Sequence, residues 1–279
     1  VGLLVLCCGG AVAFAAGPHG SPPQGTVELD TRSEYSHLRV RRQGNVRTLL
    51  FVRENGTEAE QSAVNLKRPH ELQLLYNRFM FTSYLFRPQQ EQVLIVGLGG
   101  GSMLHFLRHY APQLRVDVVE IDPAVVEIAA KYFGVHAAAN VNLITADGFR
   151  YLQETENRYD VIYMDAFLKP AAETDATGLP LRMKTEQFYA ALQRKLKPEG
   201  LVVFNLNRHK GVEADLRAIG EAFRQSYVFR PPSGNMVVVA TTSTTGPLPM
   251  SLLHARARET DQRLKPTFSF VELLGWLAH

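Results

Sequence analysis

The sequence predicts an α/β fold: a parallel sheet with helices on both faces, preceded by a small antiparallel β module. Three observations carry that prediction. An apolar run over Val93–Val96 breaks into Gly97-Leu98-Gly99-Gly100-Gly101-Ser102, and a helical apolar pattern follows at Met103, Leu104, Phe106, Leu107 and Tyr110. Strand-like and helix-like segments then alternate as far as Thr241, the order expected of a sheet with crossover helices. Three carboxylates, Glu120, Asp147 and Asp165, each stand where a predicted strand ends.

Ahead of residue 89 the chain reads as β structure followed by one helix. Tyr35–Arg42 alternates weakly, Gln43-Gly44-Asn45 turns, and Val46–Val52 is a strand. Asn55-Gly56 is a hairpin turn and Ala59–Val64 returns, which makes about three strands. Arg39, Arg41, Arg42, Arg47 and Arg53 read as a solvated strand face rather than a patch for an acidic partner, since no aromatic stacking platform accompanies them. Pro69 suits the first turn of a helix with a buried stripe of Leu72, Leu75, Tyr76, Phe79, Met80 and Ser83, and Arg87-Pro88 ends it.

In the α/β part, Val116–Val119 leads to Glu120, Val141–Thr145 to Asp147, and Asp160–Met164 to Asp165. Leu201–Leu206 is a further strand, ending near Asn205 and Asn207, and Met236–Thr241 a late one. Asp160, opening its strand, reads as structural. Helices are predicted over Pro123–Phe133, with Pro at its start and Gly134 at its end, over Thr185–Leu196 and over Val212–Gln225. The connection 166–183 is long for a crossover and reads either as a cover for the ligand or as a loose insertion. The tail is expected to be helical around Phe268–Ala278. These readings divide the chain into a leader and linker (1–25), a β module with its helix (26–88), a nucleoside-binding catalytic domain (89–245) and a tail (246–279).

Composition sets outer limits. A chain of 279 residues, 46% of them hydrophobic, can bury a full core. Its 30 basic and 27 acidic residues leave a net charge of +3, too mild to argue for nucleic acid. Both cysteines, Cys7 and Cys8, lie in the first ten residues, so the folded body has neither a disulfide framework nor a cysteine metal site. Val1–Gly17 is apolar, small and uncharged, and Ala13-Phe14-Ala15 is similar to a signal-peptidase site. It reads as the remnant of a signal peptide or membrane span, which implies export or membrane attachment.

The glycine turn is a nucleoside-binding feature. Gly97, Gly99 and Gly101 permit a tight turn and a close approach of backbone to ligand. Glu120, at the end of the next strand, is placed to accept hydrogen bonds from the two ribose hydroxyls. Ser102 stands where the dinucleotide fingerprint has its third glycine, so S-adenosylmethionine or a relative, with no pyrophosphate to cradle, fits better than NAD. Ligands of open α/β sheets bind outside the carboxyl ends of the strands, where Glu120, Asp147 and Asp165 gather. No metal is expected: His105 and His109 are four apart on a helix but lack a third ligand. Lys169, in Phe167-Leu168-Lys169-Pro170, falls at the site mouth and reads as solvated, with contact to an anionic group as the alternative.

In order and spacing these motifs resemble the spermidine synthase-like (polyamine aminopropyltransferase) family over about residues 34–210. The family pattern is a strand, G-G-G-D-G-G, E-I-D, G-D-G or A-D-G, then Y-D-V-I-x-x-D. Here it is met by V-L-I-V-G-L-G-G-G-S, Glu120-Ile121-Asp122, Ala146-Asp147-Gly148 and Tyr159-Asp160-Val161-Ile162-Tyr163-Met164-Asp165. The resemblance implies a Rossmann-like sheet of the class I S-adenosylmethionine-methyltransferase type behind a small β module. It implies that Glu120 binds ribose, that Asp147 beside Gly148 takes the adenine amino group, and that Gln61 reaches the amino-acid part of the co-substrate. Tyr76 and Asn77 match the acceptor side, and Asp165 matches the catalytic aspartate, which would hold the amine and take its proton. The co-substrate is S-adenosylmethionine or decarboxylated S-adenosylmethionine, and the acceptor a small-molecule or protein amine. A homodimer is expected, and the co-substrate, unlike the leader, points to the cytoplasm.

Three positions depart from the family pattern. Gly100 replaces the aspartate of the glycine turn, Leu168 the second aspartate after the fourth strand, and Arg78 a carboxylate in the segment Glu71-Leu72-Gln73-Leu74-Leu75-Tyr76-Asn77-Arg78. Acids that would hold a polyamine are thereby lost, Arg78 is expected to add a positive charge to the site, and ordinary S-adenosylmethionine becomes easier to accept. The expectation is an alkyl transferase, with methyl and aminopropyl transfer both open and spermidine synthesis itself disfavoured. The alternative from another class is a non-catalytic binding or assembly protein that keeps the fold. An NAD-dependent oxidoreductase is disfavoured by Ser102.

Overall fold

The computed structural model describes residues 25–278. The apolar leader and both cysteines lie outside the described residues. Residues 26–65 form an antiparallel meander of four strands, β1 (Thr26–Arg32), β2 (His37–Gln43), β3 (Val46–Val52) and β4 (Glu58–Asn65), one more than the sequence pattern predicts. The additional strand, β1, is an edge strand of sequence TVELDTR with no fully buried residue, so it carries no apolar alternation to read. Its charges are matched across the sheet: Glu28 pairs with Arg47 and Asp30 with Arg39. Glu58 receives both Arg39 and Arg41.

The helix expected from Pro69 begins six residues later, as α1 (Leu75–Met80), and a break separates it from α2 (Ser83–Phe86). Leu72 is drawn into a β-bridge with Val64 and buried there, which holds the chain ahead of Leu75 out of helical conformation. Of the expected stripe, Leu72, Phe79, Met80 and Ser83 are fully buried, whereas Leu75 and Tyr76 are half-buried.

The second sheet has seven strands: β5 (Gln92–Val96), β6 (Arg115–Glu120), β7 (Val141–Thr145), β8 (Tyr159–Met164), β9 (Leu196–Asn207), β10 (Gln225–Phe229) and β11 (Asn235–Thr241). Their order is β10-β11-β9-β8-β5-β6-β7. Neighbours from β9 to β7 run parallel, while β11 is antiparallel to both β9 and β10. The remaining helices are α3 (Ser102–Tyr110), α4 (Pro123–Phe133), α5 (Gly148–Glu154), α6 (Glu186–Arg194), α7 (Val212–Ala222), α8 (Met250–Leu264) and α9 (Phe270–Leu274). The helix from Pro123 has the predicted bounds: Asp122 caps it by accepting from the Ala124 N–H at 2.9 Å, and Gly134 ends it at φ +70°.

Three elements escape the sequence pattern. The helix α5 is only seven residues long, and β10 begins at Gln225, where the sequence predicts the end of the helix from Val212. In the fold α7 stops at Ala222, because Phe223 turns extended into the core between Tyr189 and Phe204. The long helix α8 buries only Leu253, Ala257, Thr260 and Leu264 along a strongly charged sequence.

The β5 side chains divide the core in two. Val93 and Ile95 face a cluster built with the β module, α1 to α4, α8 and α9, and Leu94 and Val96 face one built with Phe188, Leu192, Ile219 and Phe223. With both faces covered, β8 is buried along its whole length, the pattern of a central parallel strand. Among the described residues no helix is long and apolar enough to cross a membrane.

Candidate active site

Strand order reverses between β5 and β8, and outside the carboxyl ends of these strands lies a cavity of about 320 Å³. The β module closes its other side with Phe51, Glu60 and Gln61. All of the site residues expected from the sequence line this cavity: Gln61, Tyr76, Asn77, Gly97, Gly99, Gly101, Glu120, Asp147, Gly148 and Asp165.

The glycine turn is set by two close approaches. At Gly97, φ is +100° and a Cβ would stand 2.2 Å from the Asp165 carbonyl oxygen, so the turn lies directly against the end of β8. At Gly148 a Cβ would meet Val96 Cγ1 at 2.6 Å. Ser102, in place of a third glycine, tethers the two sheets: its Oγ lies 2.9 Å from Ser62 Oγ on β4 and donates to the Ala63 carbonyl at 3.2 Å.

Glu120 stands in the cavity wall with its carboxylate accepting from the Leu98 N–H at 2.9 Å and the Asp122 N–H at 3.0 Å. Burial raises its pKa, and those N–H groups oppose the rise. Each oxygen keeps acceptor capacity for hydroxyl groups. Asp147 caps α5 through the Arg150 N–H at 3.0 Å, and its other oxygen receives Arg182 from the β8–α6 crossover. Gln61 donates to the Ala59 carbonyl at 3.3 Å.

Asp165 is the centre of a relay that the sequence does not reveal. It accepts from the Tyr76 hydroxyl at 3.2 Å and from Asn205 Nδ2 at 2.8 Å. The Asn205 carbonyl oxygen accepts from Asn235 Nδ2 at 3.0 Å, and that amide also reaches Asn207 Oδ1 at 2.7 Å. Burial raises the Asp165 pKa, while the bonds from Asn205 and Tyr76 lower it. Burial also raises the Tyr76 pKa far above its ordinary value, so the phenol stays a donor. Beside this pair, Asn77 is only 2% exposed and its Oδ1 has no hydrogen-bond partner. Such an orphan costs about 1–3 kcal/mol unless a ligand N–H meets it. Glu60, unassigned in the sequence reading, adds a carboxylate whose pKa is raised by desolvation.

The spermine/spermidine synthase domain family matches residues 76–237, more than half of the chain. The chain belongs to this family. A polyamine aminopropyltransferase of Vibrio vulnificus is 28% identical over 223 residues, covering 78% of this chain and 72% of the relative. One from Neisseria meningitidis serogroup A is 30% identical over 176 residues, 62% of this chain and 63% of the relative. Among solved structures, spermidine synthase in complex with the transition-state analogue AdoDATO has the same fold, with a TM-score of 0.68 at 19% identity over 91% of this chain and 85% of that one. Human methyltransferase-like protein 13 in complex with SAH gives a TM-score of 0.64 at 24% identity, over 70% of this chain and 95% of that one.

The three departures from the family pattern sit differently in space. Leu168 lines the cavity, so an apolar side chain faces it at that position. Arg78 does not add charge to the cavity, as the sequence reading expects. It turns away, donating to the Leu72 carbonyl at 3.2 Å and lying over the Phe268 ring. Gly100 is buried against Phe133 and Ser62, where a Cβ would have 3.0 Å contacts with both. The crossover 166–184 is an ordered cover rather than a loose insertion, tied to itself by Leu168–Gly178 and Asp175–Leu179 backbone bonds. Lys169 anchors it to Glu54 at 2.7 Å, and Lys184 to Asp215 at 2.7 Å.

Neither histidine of the helical pair is aimed at a common point: His105 bonds the Phe133 carbonyl and His109 stacks on His70 with ring centres 3.7 Å apart. Asp175, His209 and Asp215 converge, but the Lys184 ammonium already lies 2.6 and 2.7 Å from the two carboxylates, where a cation would sit.

Proposed function

We propose that this chain binds an S-adenosyl sulfonium nucleoside in the cavity and transfers an alkyl group from it to an amine, with Asp165 as the base. The observation that carries this reading is the arrangement at Asp165. A carboxylate with its pKa raised by burial is held by Tyr76 and Asn205, beside an unpartnered Asn77 oxygen, at the bottom of a cavity that the nucleoside-binding turn also lines. The residues suit the co-substrate. Glu120 offers acceptors to the ribose hydroxyls, Asp147 and Gly148 stand where adenine would end, Gln61 closes the side toward the amino-acid part, and Gly97, Gly99 and Gly101 keep the wall free of side chains.

The bound sulfonium supplies an electrophilic carbon and a neutral thioether leaving group. An amine must be uncharged to attack. Asn77 Oδ1 and the Asp165 carboxylate accept its N–H groups and aim its lone pair; as the C–N bond forms and the C–S pair passes to sulfur, the nitrogen proton goes to Asp165. The hydrogen bonds from Tyr76 and Asn205 favour the ionised form of Asp165 and oppose the effect of its burial. The names of the relatives favour an aminopropyl group, hence decarboxylated S-adenosylmethionine. The glycine turn as a whole favours a second reading: Gly97–Ser102 carries no carboxylate to meet a donor's amine, which suits methyl transfer from S-adenosylmethionine. The alternative of a fold kept without turnover has no support in the intact Asp165 cluster.

The test is calorimetry with S-adenosylmethionine, its decarboxylated form and methylthioadenosine, followed by mass analysis of an amine incubated with the tighter donor. Binding by a folded protein plus a mass gain of one methyl or one aminopropyl group is expected; binding of none of the three would remove the reading.

A further inference from the structure

A second pocket shares part of its wall with the cavity. It measures about 400 Å³ and lies between the β3–β4 hairpin, the crossover after β8 and the segment after β9. Phe51, Glu60, Gln61, Phe167, Leu168 and Asn207 form the wall common to both spaces. Asp165 lines the inner cavity and not this pocket, so only the far end of an acceptor held at Asp165 would reach it.

The charge there is of the wrong sign for a diamine. Glu60 is the one carboxylate among the lining residues, against Arg53, Lys169 and Arg208. Lys169 is engaged by Glu54, and of the lining histidines, His37 contacts Asp30 and His209 contacts Asp215. The side chains of Arg53 and Arg208, both exposed, make no hydrogen bond or ion pair among the described residues. Arg39 and Arg41, by contrast, hold Glu58, and Arg42 and Arg47 hold Glu28. Leu168, facing both spaces, removes the acid that a far ammonium would need.

We propose that the acceptor is a small amine carrying an anionic group, a carboxylate or a phosphate, at its far end, and that Arg53 and Arg208 receive that group. This rests on the reading of the site as an amine-alkylating one. A guanidinium matches either anion with two parallel hydrogen bonds, whereas the far ammonium of a diamine would meet two uncompensated positive charges. Both arginines are solvated, so the preference weakens with salt.

The experiment compares kcat/KM of the full chain, at low ionic strength, for putrescine, 4-aminobutyrate and 4-aminobutyl phosphate, three acceptors of equal chain length. Both anionic amines are expected to exceed putrescine by about tenfold or more, the scale of a pair of charge-assisted contacts. The ratio should collapse toward unity in the double variant Arg53→Ala/Arg208→Ala, with nucleoside affinity by calorimetry as the check that the variant is folded. The better of the two anionic amines tells carboxylate from phosphate. Putrescine equal or superior in the unaltered chain, a ratio that survives the double variant, or bound nucleoside with transfer to none of the three amines would each overturn this inference alone. A chain that binds no nucleoside would overturn the alkyl-transfer reading beneath it as well.

Discussion

The side-chain amide of Asn205 lies 2.8 Å from the Asp165 carboxylate, and its orientation is fixed from behind, because the Asn205 oxygen is already taken by the Asn235 amide. An amide whose oxygen accepts must present its NH₂ to the carboxylate. Asn205 therefore stabilises the ionised form of Asp165 against the burial that raises its pKa.

Removing that bond shifts the acid limb of activity. Asp165 must be unprotonated to take a proton from the amine, so kcat/KM rises with pH as Asp165 ionises. In Asn205→Ala the ionised form loses a charge-assisted bond, its pKa rises, and the limb moves to higher pH. Asn235→Ala should move it the same way by less, while Asp165→Asn lowers kcat by about 10²-fold or more at pH values above the limb. A pH–rate profile with an unmoved limb in Asn205→Ala would show that Asp165 is not the titrating base.

Arg182 and the nucleoside compete for one carboxylate. Each Asp147 oxygen already accepts one bond, from the α5 cap or from Arg182, so an adenine amino group would use a remaining lone pair and share that oxygen with the arginine. Arg182 is half exposed, and such a pair is worth about 0–1 kcal/mol. Arg182→Ala is expected to tighten methylthioadenosine binding by up to about fivefold, and Asp147→Ala to weaken it. Calorimetry on the two variants reads both signs; weaker binding in Arg182→Ala would instead make the arginine a ligand contact.

Restoring the missing family aspartate should fail. In Gly100→Asp the new Cβ would stand 3.0 Å from the Phe133 ring and from Ser62 Oγ, closer than ordinary packing, and a buried carboxylate would follow it. A fall in Tm is expected, without a gain in affinity for decarboxylated S-adenosylmethionine. Pairing it with Phe133→Ala to open space separates the steric cost from the chemistry, and a gain in affinity there would show that position 100 reaches the donor.

What the sequence made legible was local. The turn from Gly97 to Ser102, Glu120 two residues before its helix cap, and Pro123–Phe133 between Asp122 and Gly134 all follow from neighbours in the chain. So does Asp165 at the end of an apolar run. The relay did not, because Asn205 and Asn235 come from two strands whose antiparallel pairing is set by the sheet order and not by any motif. Arg78 reads as an added charge in the site because its position in the segment is fixed but its direction is not: the late start of α1 and the packing of Phe268 turn it outward. The helix α8 was hidden by composition, since four buried side chains among fifteen residues leave no wide apolar stripe.

Asp160 tests the fold apart from the chemistry. Its side chain accepts from the Glu91 and Gln92 N–H groups at 2.8 and 2.9 Å and holds Arg87 and Lys197 at the start of β8. Burial alone would raise its pKa, but Lys197, the two N–H groups and Arg87 outweigh it and bring it down from 3.8 to about 2. A depressed folded-state pKa means stability that is fully present above the unfolded value, near 4, and lost as pH falls toward 2. The shift corresponds to roughly 2 kcal/mol at neutral pH. Asp160→Asn keeps the shape and removes the charge, so its urea midpoint should lie well below that of the unaltered chain at pH 7, and the gap should narrow as both are unfolded at successively lower pH from 5 to 3. A gap that stays constant over that range would assign the loss to packing and not to the Asp160 charge.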